Sequence, residues 1–290
     1  MIKRIIPVML SAVLLVTGCA NNNIGETDKA EGSKLTYSNL IDDKTQNEIK
    51  NILIENKIDE KQAGYFVKLV QSYNDQSDIN KLKTSKKGFT SIGTKQVPYD
   101  EAYLGEKWDY NKLNYSDFNC RLTALTIFKN YIKSEEKFKG DDSNLMFDID
   151  AIDNNPISRF TKEDVDKFIN LYASIPVENS QDVDKHAQAI IKELEKRKIS
   201  FLNNETVSMI NVFLHAPEDS IVFVGHVGIS IKTKDGLLFI EKYGASLPYQ
   251  VSKFKDKAEL KAYLMDRLDN NTSGDGSSKP IIMENNELMK

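Results

Sequence analysis

Cysteine, histidine and tryptophan are scarce in this chain: its 290 residues hold two Cys, three His and one Trp. Two cysteines exclude a disulfide-stapled framework. One of them, Cys19, falls in a leader-like segment, so the body has only Cys120 and no internal disulfide. Three scattered His with no paired Cys give no metal-ligand spacing, and no metal or other cofactor is expected. The acidic cluster Asp141, Asp142, Asp148, Asp150 and Asp153 lacks the Gly and terminal Glu of an ordered calcium loop and reads as solvated. A phosphate-cradling glycine loop and a Gly-x-Ser-x-Gly elbow are missing, as are a basic stripe and any nucleic-acid motif, so no nucleic-acid partner is expected. Past residue 18 no stretch is apolar enough to cross a bilayer.

What is present begins at the N-terminus. Lys3 and Arg4 precede an apolar run from Ile5 to Val16, too short for a membrane-spanning helix and suited to a signal peptide. The run ends in Val16-Thr17-Gly18-Cys19, which resembles the cleavage site of bacterial lipoproteins. That resemblance implies a signal peptide over residues 1–18 and a diacylglyceryl thioether on Cys19. Two acyl chains anchor stably where one does not, which implies a protein held on the extracytoplasmic face of the cell membrane. Residues 19–34 are polar and glycine-containing and read as a flexible tether. Removing residues 1–18 leaves 37 basic against 43 acidic residues, a net charge of −6.

The body, residues 35–269, reads as one α+β domain. Helical spacing marks residues 43–56, 60–75, 162–174 and 181–198, and a helix is expected over 119–137. Residues 85–115 look irregular and residues 139–158 look like an acidic loop. Residues 206–214, 220–232, 236–243 and 247–252 are rich in Val, Ile, Phe and Tyr, with Asp235-Gly236 as a hairpin turn. A closing helix follows over 256–268. Residues 270–290 read as a largely disordered tail, within which Pro280-Ile281-Ile282-Met283 has the makings of a late strand. Helices first and an antiparallel sheet afterwards give the α+β class.

Two segments carry the candidate chemistry. Ser116, Asp117 and Asn119 are good helix N-cap residues, so Cys120 falls in the first turn of a helix. The positive end of the helix favours a thiolate there, and its free N–H groups suit a developing oxyanion. The bland alternative is a core residue, because Cys120, Ala124, Ile127 and Tyr131 share helical spacing. In Ile221–Ile231, strand alternation puts Phe223, Val227, Ile229 and Ile231 on one face and His226 on the other with Val222, Val224, Gly228 and Ser230. Glu241, at the end of the next apolar run, is the candidate to hold the far nitrogen of His226. A tight turn at Asp235-Gly236 would set His226 opposite Ala245, so a longer loop or a bulge is needed to bring the two together. Lys242 would point to the other face. His186 and His215 read as ordinary residues.

A Cys at a helix start, a strand His in His-Val-Gly-Ile, a short hairpin and a polar residue ending Gly-x-x-x-Ile-x together resemble the NlpC-type cell-wall cysteine peptidases of the papain-like superfamily. The resemblance covers about 60 residues and implies a papain-like fold with Cys120 as nucleophile, His226 as base and Glu241 as the group orienting it. Glu241 departs from the His, Asn or Gln usual in that family, and Arg121 from the Ser or Val usual after its nucleophile. The whole chain also resembles a lipoprotein family known only as a domain of unknown function, through Asn119-Cys120-Arg121 and Glu241-Lys242 onward to Pro248-Tyr249-Gln250. The implied activity is thiol acyl transfer on a peptide or peptidoglycan-type amide, with the Cys120 N–H as first oxyanion donor and Asn119, Tyr99 and Gln250 as candidates for the second or for substrate contact. The alternative is a non-catalytic envelope-binding lipoprotein on the same fold, its binding face supplied by the aromatic stretch 89–118.

Overall fold

The computed structural model describes residues 34–110, 113–270 and 274–290. The expected signal peptide, Cys19 and nearly all of the tether lie outside the described residues. A short strand, β1 (Leu35–Ser38), leads into α1 (Asp43–Glu55) and α2 (Glu60–Ser77). Both helices start on an aspartate, because Asp42 and Asp59 accept hydrogen bonds from the otherwise unpaired N–H groups of the first turn. Then come β2 (Thr90–Ile92), α3 (Glu101–Tyr110), α4 (Cys120–Phe128), β3 (Ile132–Ser134), α5 (Met146–Asn154) and α6 (Lys162–Tyr172). After β4 (Ile175–Pro176), α7 (Val183–Lys196) and β5 (Ile199–Phe201) the chain turns to long strands. These are β6 (Val207–Ala216), β7 (Ile221–Thr233), β8 (Gly236–Lys242) and β9 (Tyr249–Phe254), followed by α8 (Lys257–Leu268), β10 (Ile281–Glu284) and β11 (Glu287–Leu288).

One nine-stranded sheet organises the body in the order β11-β10-β6-β7-β8-β9-β1-β2, with β4 also pairing β7, and every pairing is antiparallel. Helices and an antiparallel sheet make this an α+β fold, as the order of sequence patterns implied. The sheet is buried on both faces. On one, Phe66, Leu69 and Val70 of α2, Leu122 and Leu125 of α4 and Phe168 of α6 pack with Val222, Val224, Val227 and Ile229 of β7. On the other, Leu260, Tyr263 and Leu264 of α8 pack with Val212 and Phe239.

Several expectations need correction. The helix expected over 119–137 ends at Phe128, because the chain then leaves to pair β3 with β5. The stretch 85–115 contains β2 and α3, and the acidic loop 139–158 contains α5. The domain does not end at 269. β10 lies between β6 and β11, with Ile281, Ile282 and Met283 buried, so the described end of the chain belongs to the sheet and is no disordered tail.

The hairpin between β7 and β8 turns through Lys234-Asp235, with Thr233 paired to Gly236. Gly236 has φ +128, a conformation that side chains rarely adopt, and a Cβ there would meet the Phe254 carbonyl oxygen. The turn therefore sits one residue earlier than Asp235-Gly236, and the register moves by two. Glu241 lies opposite Gly228, one pleat from His226 on the same face. No lengthened loop is needed.

Candidate active site

The site lies where β7 changes partner. On one side it pairs with β4 at Ile221 and Val222 and with β8 from Gly228 onward, so residues 223–227 have no strand on that side. The N-terminus of α4 fills the gap. Arg121 Nη1 donates to the Val224 carbonyl at 3.2 Å, and the Val227 N–H hydrogen-bonds the Cys120 thiol. On its other side β7 carries a bulge: Val212 pairs with His226 and Phe213 with Val224, leaving Gly225 over. The bulge reverses the alternation. Val222 and Val224 join Val227, Ile229 and Ile231 in the core beside α4, instead of sharing the His226 face as expected from simple alternation.

Asn119 caps α4 with its Oδ1 accepting from Leu122 N at 3.1 Å, while its Nδ2 donates to Asp148 at 2.5 Å. Cys120 therefore occupies the first turn and stays partly exposed. Arg121 faces inward. Its Nε and Nη2 hold the fully buried Asp148 at 3.1 and 2.6 Å, so with Val224 the guanidinium is spent within the protein. Arg121, the residue after Cys120, is therefore an anchor for the helix start. Asp148, expected to be solvated with the rest of the acidic cluster, is instead buried in this anchor; among the described residues no His, Cys, Asp and Glu cluster could hold a metal ion.

His226 is buried and hydrogen-bonds both Cys120 and Glu241. Its Nε2 lies 2.7 Å from Glu241 Oε2, which leaves Nδ1 as the ring nitrogen for the thiol. Burial and the charge of Arg267 push the imidazole pKa down, but the hydrogen bonds to Cys120 and Glu241 prevail and it ends raised. For Cys120, burial pushes up and the hydrogen bond and charge of His226, the charge of Arg121 and the Val227 N–H pull down, and the thiol pKa ends lowered. Both shifts favour a thiolate–imidazolium pair.

Glu241 is the most thoroughly held group. Oε2 also accepts from Arg267 Nη1 at 2.5 Å, and Oε1 accepts from Tyr263 Oη at 2.8 Å and Gln250 Nε2 at 3.3 Å. Despite burial, Arg267 and His226 bring its pKa down to about 2. Arg267 Nη1 is also 3.5 Å from His226 Nε2, its Nη2 donates to the Tyr243 carbonyl, and its guanidinium lies 3.5 Å from the Tyr243 ring centroid. Behind Glu241, Gln250 Oε1 accepts from Tyr99 Oη at 2.7 Å, and Tyr99 Oη accepts from Asn39 at 2.5 Å.

The structure thus brings Cys120, His226 and Glu241 together. It does not place the other three candidates at the thiol. Tyr99 and Gln250 support Glu241 from behind, and the Asn119 amide is occupied by Leu122 and Asp148. Sequence reasoning missed Arg267 and Tyr263. Their four-residue spacing on α8, two polar groups on the face that carries Leu260 and Leu264, was the available signal.

Comparison with known families adds one match: a domain of unknown function (DUF4300) covers residues 36–289. The chain belongs to that family. The DUF4300 match contains Cys120, His226, Glu241 and Arg267, so the whole network lies within the family domain. No curated protein and no solved structure matches the chain.

Proposed function

We propose that this DUF4300 protein is a cysteine hydrolase that cleaves an amide by thiol acyl transfer, in the manner of the NlpC-type, papain-like enzymes that its Cys-His order resembles. The observation that carries the reading is the chain of hydrogen bonds from Cys120 at the start of α4 to His226 and from His226 Nε2 to Glu241. His226 takes the thiol proton, and the sulfur attacks the amide carbon. The oxygen becomes an oxyanion beside the helix start. Leu122 N is taken by the Asn119 side chain and Thr123 N by the Asn119 carbonyl, so the N–H groups of Cys120 and Arg121 remain for it. The imidazolium then gives its proton to the leaving nitrogen as the C–N bond breaks. Water, deprotonated by His226, attacks the thioester, and the thiolate leaves with the acid as product. Glu241 fixes the ring and stabilises its cation.

An open cleft of about 350 Å³, bounded by Trp108, Tyr115, Ser116, Asp117, Asp150 and Ser246, lies beside the segment that leads into Cys120. The lipoprotein-like N-terminus supports a reaction at the envelope surface, where peptides and peptidoglycan stems supply such amides.

The test is the rate of Cys120 alkylation by iodoacetamide from pH 4 to 9, on protein starting after Cys19. An ordinary thiol near 9 is almost wholly protonated at pH 6; the expected result is a thiol that still reacts there, since its pKa is lowered and that of its partner raised. In His226→Ala the rate at pH 6 drops by about tenfold or more, because the cation that lowers the thiol pKa is gone. A wild-type thiol that reacts only above about pH 8 overturns the hydrolase reading and leaves the non-catalytic binding protein in its place.

A further inference from the structure

Lys242 follows Glu241 on β8 but points through the opposite face of the sheet, as alternation requires. It is 0% exposed. Its Nζ lies 2.6 Å from Asp117 Oδ2, 3.4 Å from the Tyr73 ring centroid and 4.5 Å from that of Tyr249. Asp117 is buried too and stands three residues before Cys120. Neither group takes part in the chemistry above, and both carry a burial penalty. Burial pulls the Lys242 pKa down to about 8 and pushes that of Asp117 up, each only partly offset by the other.

A buried ion pair of this kind is a poor source of stability, because desolvation cancels most of the attraction and an apolar pair of similar volume often does as well. What it does supply is a fixed distance between two chain segments. One segment is the lead-in to α4, whose other side-chain hydrogen bonds among the described residues include Trp108 Nε1 to the Tyr115 carbonyl, Asn155 Nδ2 to the Ser116 carbonyl, and Asn119 to Asp148. The other segment is the end of β8. Of these ties, Asp117–Lys242 alone joins the nucleophile's segment to the strand that bears Glu241.

We propose that Asp117 and Lys242 are positioning residues, a strut that holds the Cys120 end of α4 in register with Glu241 and so sets the alignment of thiol and imidazole. The proposal rests on the hydrolase reading of the same site. Proton transfer between Cys120 and His226 requires hydrogen-bond contact, and the strut fixes both ends of the assembly that provides it. The aromatic faces of Tyr73 and Tyr249 keep the ammonium from swinging to another acceptor.

The experiment compares iodoacetamide alkylation profiles of wild type, Asp117→Asn, the double variant Asp117→Leu/Lys242→Met, and Lys129→Met, which breaks the ion pair with Asp164 away from the site. Thermal unfolding is followed in parallel. The expected result is a double variant that melts near wild type but whose alkylation midpoint rises by about one pH unit, with the rate at pH 6 falling about tenfold. Asp117→Asn shifts the same way and melts lower than the double variant, because it leaves Lys242 buried without its counter-ion, and Lys129→Met does not move the midpoint whatever it does to melting. Should the double variant fail to fold, Asp117→Asn/Lys242→Met decides, since it keeps the shape of both side chains, leaves neither charge unpaired and removes the hydrogen bond: an unchanged midpoint in that variant overturns the strut. An activated wild-type thiol whose profile survives in the folded double variant also overturns the strut and leaves the hydrolase reading standing. An inert wild-type thiol overturns both.

Discussion

A carboxylate that leaves water must be met by donors or it takes up a proton, and Glu241 is met by His226, Arg267, Tyr263 and Gln250. Arg267 has two opposing effects. It keeps Glu241 ionised, which favours a protonated His226, and its own charge 3.5 Å from Nε2 disfavours that proton. With the carboxylate in place, the raised imidazole pKa shows that Glu241 and Cys120 prevail. Glu241→Gln removes the favourable part and keeps the unfavourable one, leaving Arg267 buried without its counter-ion. The expected outcome is a loss of about 3–5 kcal/mol in urea unfolding. Thiol reactivity at pH 6 falls to the level of His226→Ala. A loss under about 1 kcal/mol would mean that solvent replaces the carboxylate and that the network is looser than drawn here.

Among the elements, β7 decides the site. Its single extra residue at Gly225 moves the valines before it to the helix-covered face, and its unpaired stretch 223–227 admits the start of α4. Gly228, opposite Glu241, is a second constraint. A Cβ there would come within 2.4 Å of Phe239 Cζ and 2.7 Å of the Ile240 carbonyl oxygen, and the carbonyl cannot retreat without loosening the β7–β8 ladder. Gly228→Ala is therefore expected to cost about 1–3 kcal/mol by overpacking and to lower Cys120 reactivity, since it displaces the strand that carries Glu241. Unchanged melting in that variant would show that Phe239 can turn aside at no cost.

For the whole molecule, the sheet closes on the end of the chain. Ile281, Ile282 and Met283 are buried, and β10 covers the edge of β6, whose neighbour β7 carries His226. Truncation after Lys279 removes those three side chains, uncovers the core they pack against and leaves β6 with a long unpaired edge. At about 1.5–3 kcal/mol for each fully buried side chain, the loss is about 6 kcal/mol. The truncated protein is expected to unfold or aggregate, as sedimentation and denaturant titration would show. Wild-type stability in the truncated form would make β10 an ornament of the sheet.

Much of this fold was legible because it rests on local physics. Helical spacing placed α1, α2, α6 and α7, β-rich runs placed β6 to β9, and Asn119 as an N-cap put Cys120 in a first turn. The sequence by itself also singled out Cys120, His226 and Glu241, which the structure brings into one hydrogen-bonded chain. Register, bulge and charge partners were decided by the tertiary structure. Moving the turn by one residue shifts a register by two, and an unpaired Gly225 turns a strand's faces over; neither leaves a mark in composition. Arg267 and Asp148 reach the site from residues 26 and 27 positions away from the groups they hold. Only close packing brings such distant charges within hydrogen-bond reach, and only burial then makes their pairing obligatory.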